Sequence, residues 1–243
     1  MLGAKLATLL GLAGSAVGVR MLPDGEHPPG VEHLLHHRYC QAVMRARRGE
    51  AVLLTPDELA CPAAAAAFGW RPLPENLHSG QGLVGFGIVS DPAVARRMFE
   101  RMPRLPQGLC SSIHLYPLDR ATGAAPDVVL VEDEVEKLMW VSLAYLHTQG
   151  GERLESSTAV LQATCVDSTV VPFSSGRLNF SYGCYGCRDA TDLANGEAVL
   201  GFPGAILPGI VAHLEFLAQR ALPVSRSKKA YSALRRPAVA ISG

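Results

Sequence analysis

The chain has 243 residues, 48% hydrophobic and 18% charged, which is ordinary for a globular protein and enough for one large core or two small lobes. Its net charge is zero but unevenly placed. Arg226, Lys228, Lys229, Arg235 and Arg236 fall in residues 223–243 with no acid among them, leaving the rest at −5. No basic stripe and no interleaving of basic with aromatic residues marks a nucleic-acid partner, and no apolar window reaches the length of a membrane span.

Leu2, Leu6, Leu9, Leu10 and Ala13 recur at helical spacing, and AVGVRML behind them alternates as a strand, with Val17, Val19 and Met21 on one face. A helix feeding a strand explains the N-terminus better than a signal peptide does, so the expected location is cytoplasmic. In that compartment six cysteines are thiols or metal ligands rather than disulfides.

Thr55-Pro56-Asp57-Glu58 reads as a capping box opening a helix through the alanine run to about Phe68. GLVGFG at 82–87 reads as a glycine-rich strand, without the spacing of a dinucleotide-binding turn. Ser90-Asp91-Pro92 caps a helix that Pro103 stops. SSIHLYPL and DVVLVED read as strands, the second central because it is a continuous apolar run. His114 alternates with Ile113 and Leu115 and so is expected at the surface or a rim. A long helix over 133–147, apolar nearly all round and hence buried, follows, and ILPGIVAHLEFLAQR is the last regular element. The tail at 223–243 is basic and without apolar periodicity, and is expected to be flexible.

The two halves echo each other. VGVRML, YCQAVMRARRGE and TPDELAC at Cys61 parallel VVLVED, HTQGGE and STAVLQATC at Cys165. The expected fold is α/β: two similar strand–helix–helix lobes, about 14–110 and 111–222, packed as one compact pseudo-symmetric domain over 1–222. In that arrangement Cys61 and Cys165 meet near the axis.

The chemistry gathers in the cysteines. Cys40, Cys61, Cys165 and the Cys184/Cys187 pair of SYGCYGCRDA each fall at an element end or beside glycine, and converging thiolates require a cation to neutralise them. Spacing leaves several readings open. An iron–sulfur cluster takes four thiolates in a dry, amide-rich pocket. Structural zinc takes two compact knuckles, and this chain has one CxxC, with His36 and Cys40 at i,i+4 as a poor substitute for the other. A redox dithiol puts its first cysteine at a helix start, yet RDATDLANGE is a poor helix. The plain alternative is a set of small buried hydrophobes.

Gly183 and Gly186 let backbone approach a cofactor closely. Arg188 could pair with an anionic substrate or cluster charge, or bridge to Asp189 or Asp192. Asn179 could donate to a ligand or cap a turn. His33, His36 and His37 sit in a polar, proline-rich stretch and read as solvated.

AVGVRML, YCQAVMRARRGE, the CPAA helix start ending in FGW, YPLDRATGAAPDVVLV, the GG of HTQGGE, ATC and GRLNFSYGCYGCR with GFP behind it together resemble the ArCR family of bacterial and archaeal proteins, over nearly all of residues 8–220. That resemblance implies four recurring cysteines, which map to Cys40, Cys61, Cys165 and Cys184. Cys187 departs from the pattern, where a small polar residue often precedes the arginine. It therefore reads as a spare or alternative thiol. Ligands that come singly favour a [4Fe–4S]-type cluster over zinc. The expectation is a cluster-binding protein with a redox or sulfur-related role and an electron-transfer or small-molecule partner. The alternative is a non-catalytic binding or sensor module whose cysteines are structural or hold zinc.

Overall fold

A computed structural model describes residues 1–121 and 123–224. The basic stretch, apart from Pro223 and Val224, lies outside the described residues. The described strands are β1 (Val17–Leu22), β2 (Glu32–His33), β3 (Val52–Leu54), β4 (Ser112–Pro117), β5 (Val128–Glu134), β6 (Asn179–Ser181) and β7 (Glu197–Pro203). They form an open seven-stranded sheet in the order β2-β3-β4-β1-β5-β7-β6, antiparallel throughout except between β2 and β3.

Helices cover both faces. They are α1 (Leu2–Leu10), α2 (Tyr39–Arg47), α3 (Pro62–Ala67), α4 (Glu75–His78), α5 (Gln81–Gly85), α6 (Pro92–Glu100), α7 (Val135–Thr148), α8 (Val171–Ser175), α9 (Tyr185–Ala190) and α10 (Leu207–Ala218). A π-helical segment, Ala163–Val170, runs directly into α8. None of the described helices is long and apolar enough to cross a membrane.

The period-2 alternation of β5 divides the core. Val128 and Leu130 pack with Tyr39, Ala42 and Val43 of α2, the alanines of α3, and Cys165, Val166 and Val170 of the π-helical segment. Val129 and Val131 pack on the opposite face with Leu138 and Val141 of α7, Ile210 and Leu214 of α10, and Leu6 of α1. β5 is central, as its continuous apolar run requires.

The α/β class and most of the elements agree with the sequence pattern. Outward from the centre, β1, β4 and β3 on one side match β5, β7 and β6 on the other in the order the chain visits them. The helices do not follow: α2, after β1, lies on the face opposite to α7, after β5. The placement of these two helices does not confirm residues 17–61 and 128–165 as matching strand–helix–helix lobes.

Three local readings are corrected. The capping box at Thr55 closes only a turn, and the helix starts at Pro62 with Cys61 extended before it, because proline disfavours helical backbone in the residue it follows. Leu59 is thereby free to bridge to His37 and enter the core. GLVGFG is helical rather than a strand, since Leu83 turns inward to Leu77 and Phe99 while Phe86 faces out. The α7 helix leaves Val135, Met139 and Leu143 exposed along one stripe, so it is buried on one side only.

Candidate functional site

Five cysteines line one cavity of about 480 Å³ on the α2 face of the sheet. Each arrives from a different local device. Cys40 is in the first turn of α2, and Cys61 is the N-cap of α3. Cys165 is in the first turn of the π-helical segment, and Cys184 and Cys187 are the N-cap and third residue of α9. Cys110, the sixth, packs elsewhere in the core near Trp70. All six are free thiols. The outer wall comes from α4 to α6 and is apolar: Leu77, Leu83, Phe86, Ile88 and Phe99.

The approach to Cys165 is unusual. Val160 and Gln162 both adopt left-handed backbone, at φ 57° and 54°, which side chains with a Cβ rarely take. The segment they lead into is π-helical over two turns, a geometry that recurs at functional sites. Neighbours hold it in place. Asn179 donates to the Ser157 and Asp167 carbonyls and accepts from the Ser157 amide, and Gly201 of β7 lies so close to the Ser168 carbonyl that a Cβ there would collide with it.

Sulfur contacts are close and directional. The Cys184 thiol donates to Cys187 Sγ across 2.9 Å, and the Cys187 amide donates back to Cys184 Sγ at 3.3 Å. The Ala163 amide also reaches Cys184. Thr164 Oγ1 donates to Cys187 Sγ at 3.5 Å, and Cys187 further contacts Cys40. The Cys184 hydrogen bond to its partner, and then burial, raise the Cys184 thiol far above its ordinary value. Cys187 is drawn down by Cys184, but Cys40 and burial outweigh that and leave it at about 12. Cys165 is raised by burial and then by Cys61, Cys187 and Cys184 around it. The thiols of Cys165, Cys184 and Cys187 are thus held in the neutral form, and several amide and hydroxyl donors are already aimed at the sulfurs of Cys184 and Cys187.

Among the described residues no three histidine, cysteine, aspartate or glutamate side chains form a group that could hold a single metal ion. The sulfurs of Cys184, Cys187 and Cys40 are linked through Cys187, while Cys61 and Cys165 stand elsewhere on the cavity wall.

The remaining predicted residues divide by role. Gly186 lines the cavity, and its carbonyl accepts from Arg38 Nη1 at 3.1 Å, which ties the α9 loop to α2. Gly183 adopts φ 86° and shapes the turn. Arg188 does not face the cavity and forms no bridge to Asp189 or Asp192: its guanidinium donates to the carbonyls of Tyr182, Ala194 and Glu197. Asn179 likewise holds backbone behind the cavity. His36 has φ 55° and precedes α2, so it shares no helix face with Cys40. His33 pairs with Glu58 at 3.4 Å. His114 is half-buried beside Tyr116 in a separate cavity, where burial and then Arg20 lower it to about 4. Cys184 does open a helix, contrary to the poor helical pattern of RDATDLANGE. Six residues suffice because Arg188 and Gln41, which donates to the Ala190 carbonyl at 3.2 Å, fasten its far end.

The chain matches a family model over residues 5–213, described as uncharacterised ArCR. The chain belongs to the uncharacterised ArCR family. No curated protein and no solved structure matches it. In this ArCR chain the sequence pattern did not reveal Tyr39, which lines the cavity, or Glu132 and Thr164, which are buried close by. Glu132 and Thr164 are buried polar groups inside apolar runs, and that contrast was the available signal.

Proposed function

We propose that the ArCR cavity holds a cysteine-ligated iron–sulfur cluster, of the [4Fe–4S] type, in a redox or sulfur-related role. The observation that carries this reading is the convergence of Cys40, Cys61, Cys165, Cys184 and Cys187, from four separate stretches of chain, on one cavity. Soft thiolates select iron–sulfur clusters, zinc or copper(I). Ligands that arrive singly, around a space of about 480 Å³, suit a polynuclear group better than the two knuckles of structural zinc. Amide and hydroxyl donors on the sulfurs suit thiolates carrying excess negative charge. Such a group supplies one-electron transfer or a sulfur atom; the chain's part is to ligate it, exclude water and tune it.

Cys40, Cys61, Cys165 and Cys184 would be the ligands, with Cys187 the alternative to Cys184. The first pair comes from the half of the sheet around β1 and the second from the half around β5. The apolar wall of Leu77, Leu83, Phe86 and Phe99 supports a second reading, a small-molecule binding or sensor module with structural or zinc-holding cysteines. Anaerobic purification separates the two. A brown protein with a broad band near ~400 nm, the thiolate-to-iron absorption expected of cluster ligation, and stoichiometric iron and sulfide supports the first. Colourless protein with one zinc per chain overturns it in favour of the second.

A further inference from the structure

Glu132 is a carboxylic acid in the middle of the molecule. It follows Leu130 on the α2 face of β5 and is buried, with one carboxylate oxygen, Oε2, lacking any hydrogen-bond partner. The carboxyl also reaches the Thr164 side chain. Burial raises it to about 7, with Arg47 pulling down and Glu197 pushing up. Those two, paired with each other across α2 and β7, and the phenol of Tyr39 are the ionisable groups that face it. Asp133 next door faces the other way, bonded to the Ala13 amide and Lys137.

Thr164 is almost wholly buried and has one hydroxyl hydrogen for two claimants, Glu132 and Cys187 Sγ. Arg47 and Glu197 also line a second, polar cavity with Arg48, Arg120 and Asp192. Glu132 thus stands one neighbour away from the cysteine cavity and one neighbour away from a polar one.

We propose that Glu132 and Thr164 form a proton-responsive arm of the cysteine site, in which the protonation state of Glu132 decides whether Thr164 gives its hydroxyl hydrogen to the sulfur of Cys187. With Glu132 neutral, its O–H donates to Thr164 Oγ1 and the Thr164 O–H donates to Cys187 Sγ. With Glu132 ionised, the carboxylate accepts the Thr164 hydrogen and the sulfur loses its donor. One proton is exchanged, between Glu132 and solvent on the Arg47–Glu197 side, and no covalent bond between heavy atoms changes. Glu132 is a positioning residue acting through Thr164. The proposal deepens the reading of the cavity as a sulfur-based site, because a hydrogen bond to sulfur stabilises its anion and raises the potential of any cluster it ligates.

The test needs no iron, so it fails or succeeds separately from the cluster. Reduced, iron-free full-length protein is alkylated with iodoacetamide at pH 5.5 and pH 8, and the rate at Cys187 is read by fragment-resolved mass spectrometry. Glu132→Gln, held neutral, should match wild type at pH 5.5 and react about fivefold faster at pH 8, the scale of one hydrogen bond. Thr164→Val should shrink that acceleration in the double variant, while Thr164→Ser, which keeps the hydroxyl, preserves it. The proposal is overturned if Glu132→Gln has the same effect at both pH values. It is equally overturned if the acceleration is undiminished with valine at 164.

Discussion

Cys184 and Cys187 are three residues apart and 2.9 Å apart at sulfur, yet their surroundings differ. Cys184 accepts from two main-chain amides, those of Ala163 and Cys187, which are fixed by the backbone and aimed before any cation arrives. Cys187 relies on the Thr164 hydroxyl, which rotates, and on contact with Cys40. Fixed amides stabilise a ligand thiolate at little cost in reorganisation. Replacing Cys184 by serine should therefore remove most of the iron bound after anaerobic reconstitution, since a hard hydroxyl is a poor ligand where a soft thiolate is wanted. Cys187→Ser should lose much less, and Cys184→Ser should be partly rescued by Cys187 swinging in. Iron per chain in both variants is the measurement. Complete loss confined to Cys187→Ser would reverse the ligand assignment.

At the scale of elements, the π-helical segment sets the geometry of the site, and β7 sets the place of the segment. A methyl group at Gly201 would strike the Ser168 carbonyl, and both lie in main chain that has nowhere to retreat. Gly201→Ala should destabilise the fold by about 3 kcal/mol in urea unfolding and lower iron retention with it, because Thr164 and Cys165 ride on the displaced segment. Gly196→Ala, with open space around its added methyl, should do neither. At the remote end of the cavity wall, Asp91 accepts from the Ala93 amide at 2.7 Å and caps α6. Asp91→Ala should cost about 1 kcal/mol and leave iron content unchanged. That cap was legible in Ser-Asp-Pro because one side chain and one proline define it locally. The central place of β5 was legible because burial on both faces writes a continuous apolar run. The π-helical segment was not, since nothing in LQATCVDSTV breaks helical periodicity. Its register is imposed from outside, by Asn179 and Gly201, across distances no local pattern encodes. The convergence of the five cysteines was legible only in part, because α4 to α6 close the cavity with ordinary apolar residues.

Across the whole molecule, the sheet buries acid as well as hydrocarbon, and that makes its stability depend on pH in an uncommon direction. Glu132 has its ordinary value of 4.5 in the unfolded chain and is raised to about 7 when folded, burial being the main cause. Between these values the folded chain holds a proton that the unfolded chain has released, so stability falls as pH rises. The contribution is complete below about 4.5, declines through the interval and is lost above about 7. Asp167, raised by burial to about 6, adds to the same trend, while Asp133, lowered by its Lys137 and amide hydrogen bonds against the opposing cost of burial, works against it. At 1.36 kcal/mol for each pKa step, ionising Glu132 costs the folded state up to about 3 kcal/mol. Glu132→Gln should then match wild type in urea unfolding near pH 5 and exceed it by up to that amount at pH 8. Equal stability of the two proteins at pH 8 would mean that Arg47 keeps Glu132 ionised at neutral pH, and the same data would remove the neutral carboxyl on which the Thr164 arm depends. A buried acid that weakens the fold at neutral pH, retained directly behind a cysteine cavity and on one of the two strands whose pairing joins the halves of the sheet, is a feature that packing alone does not call for.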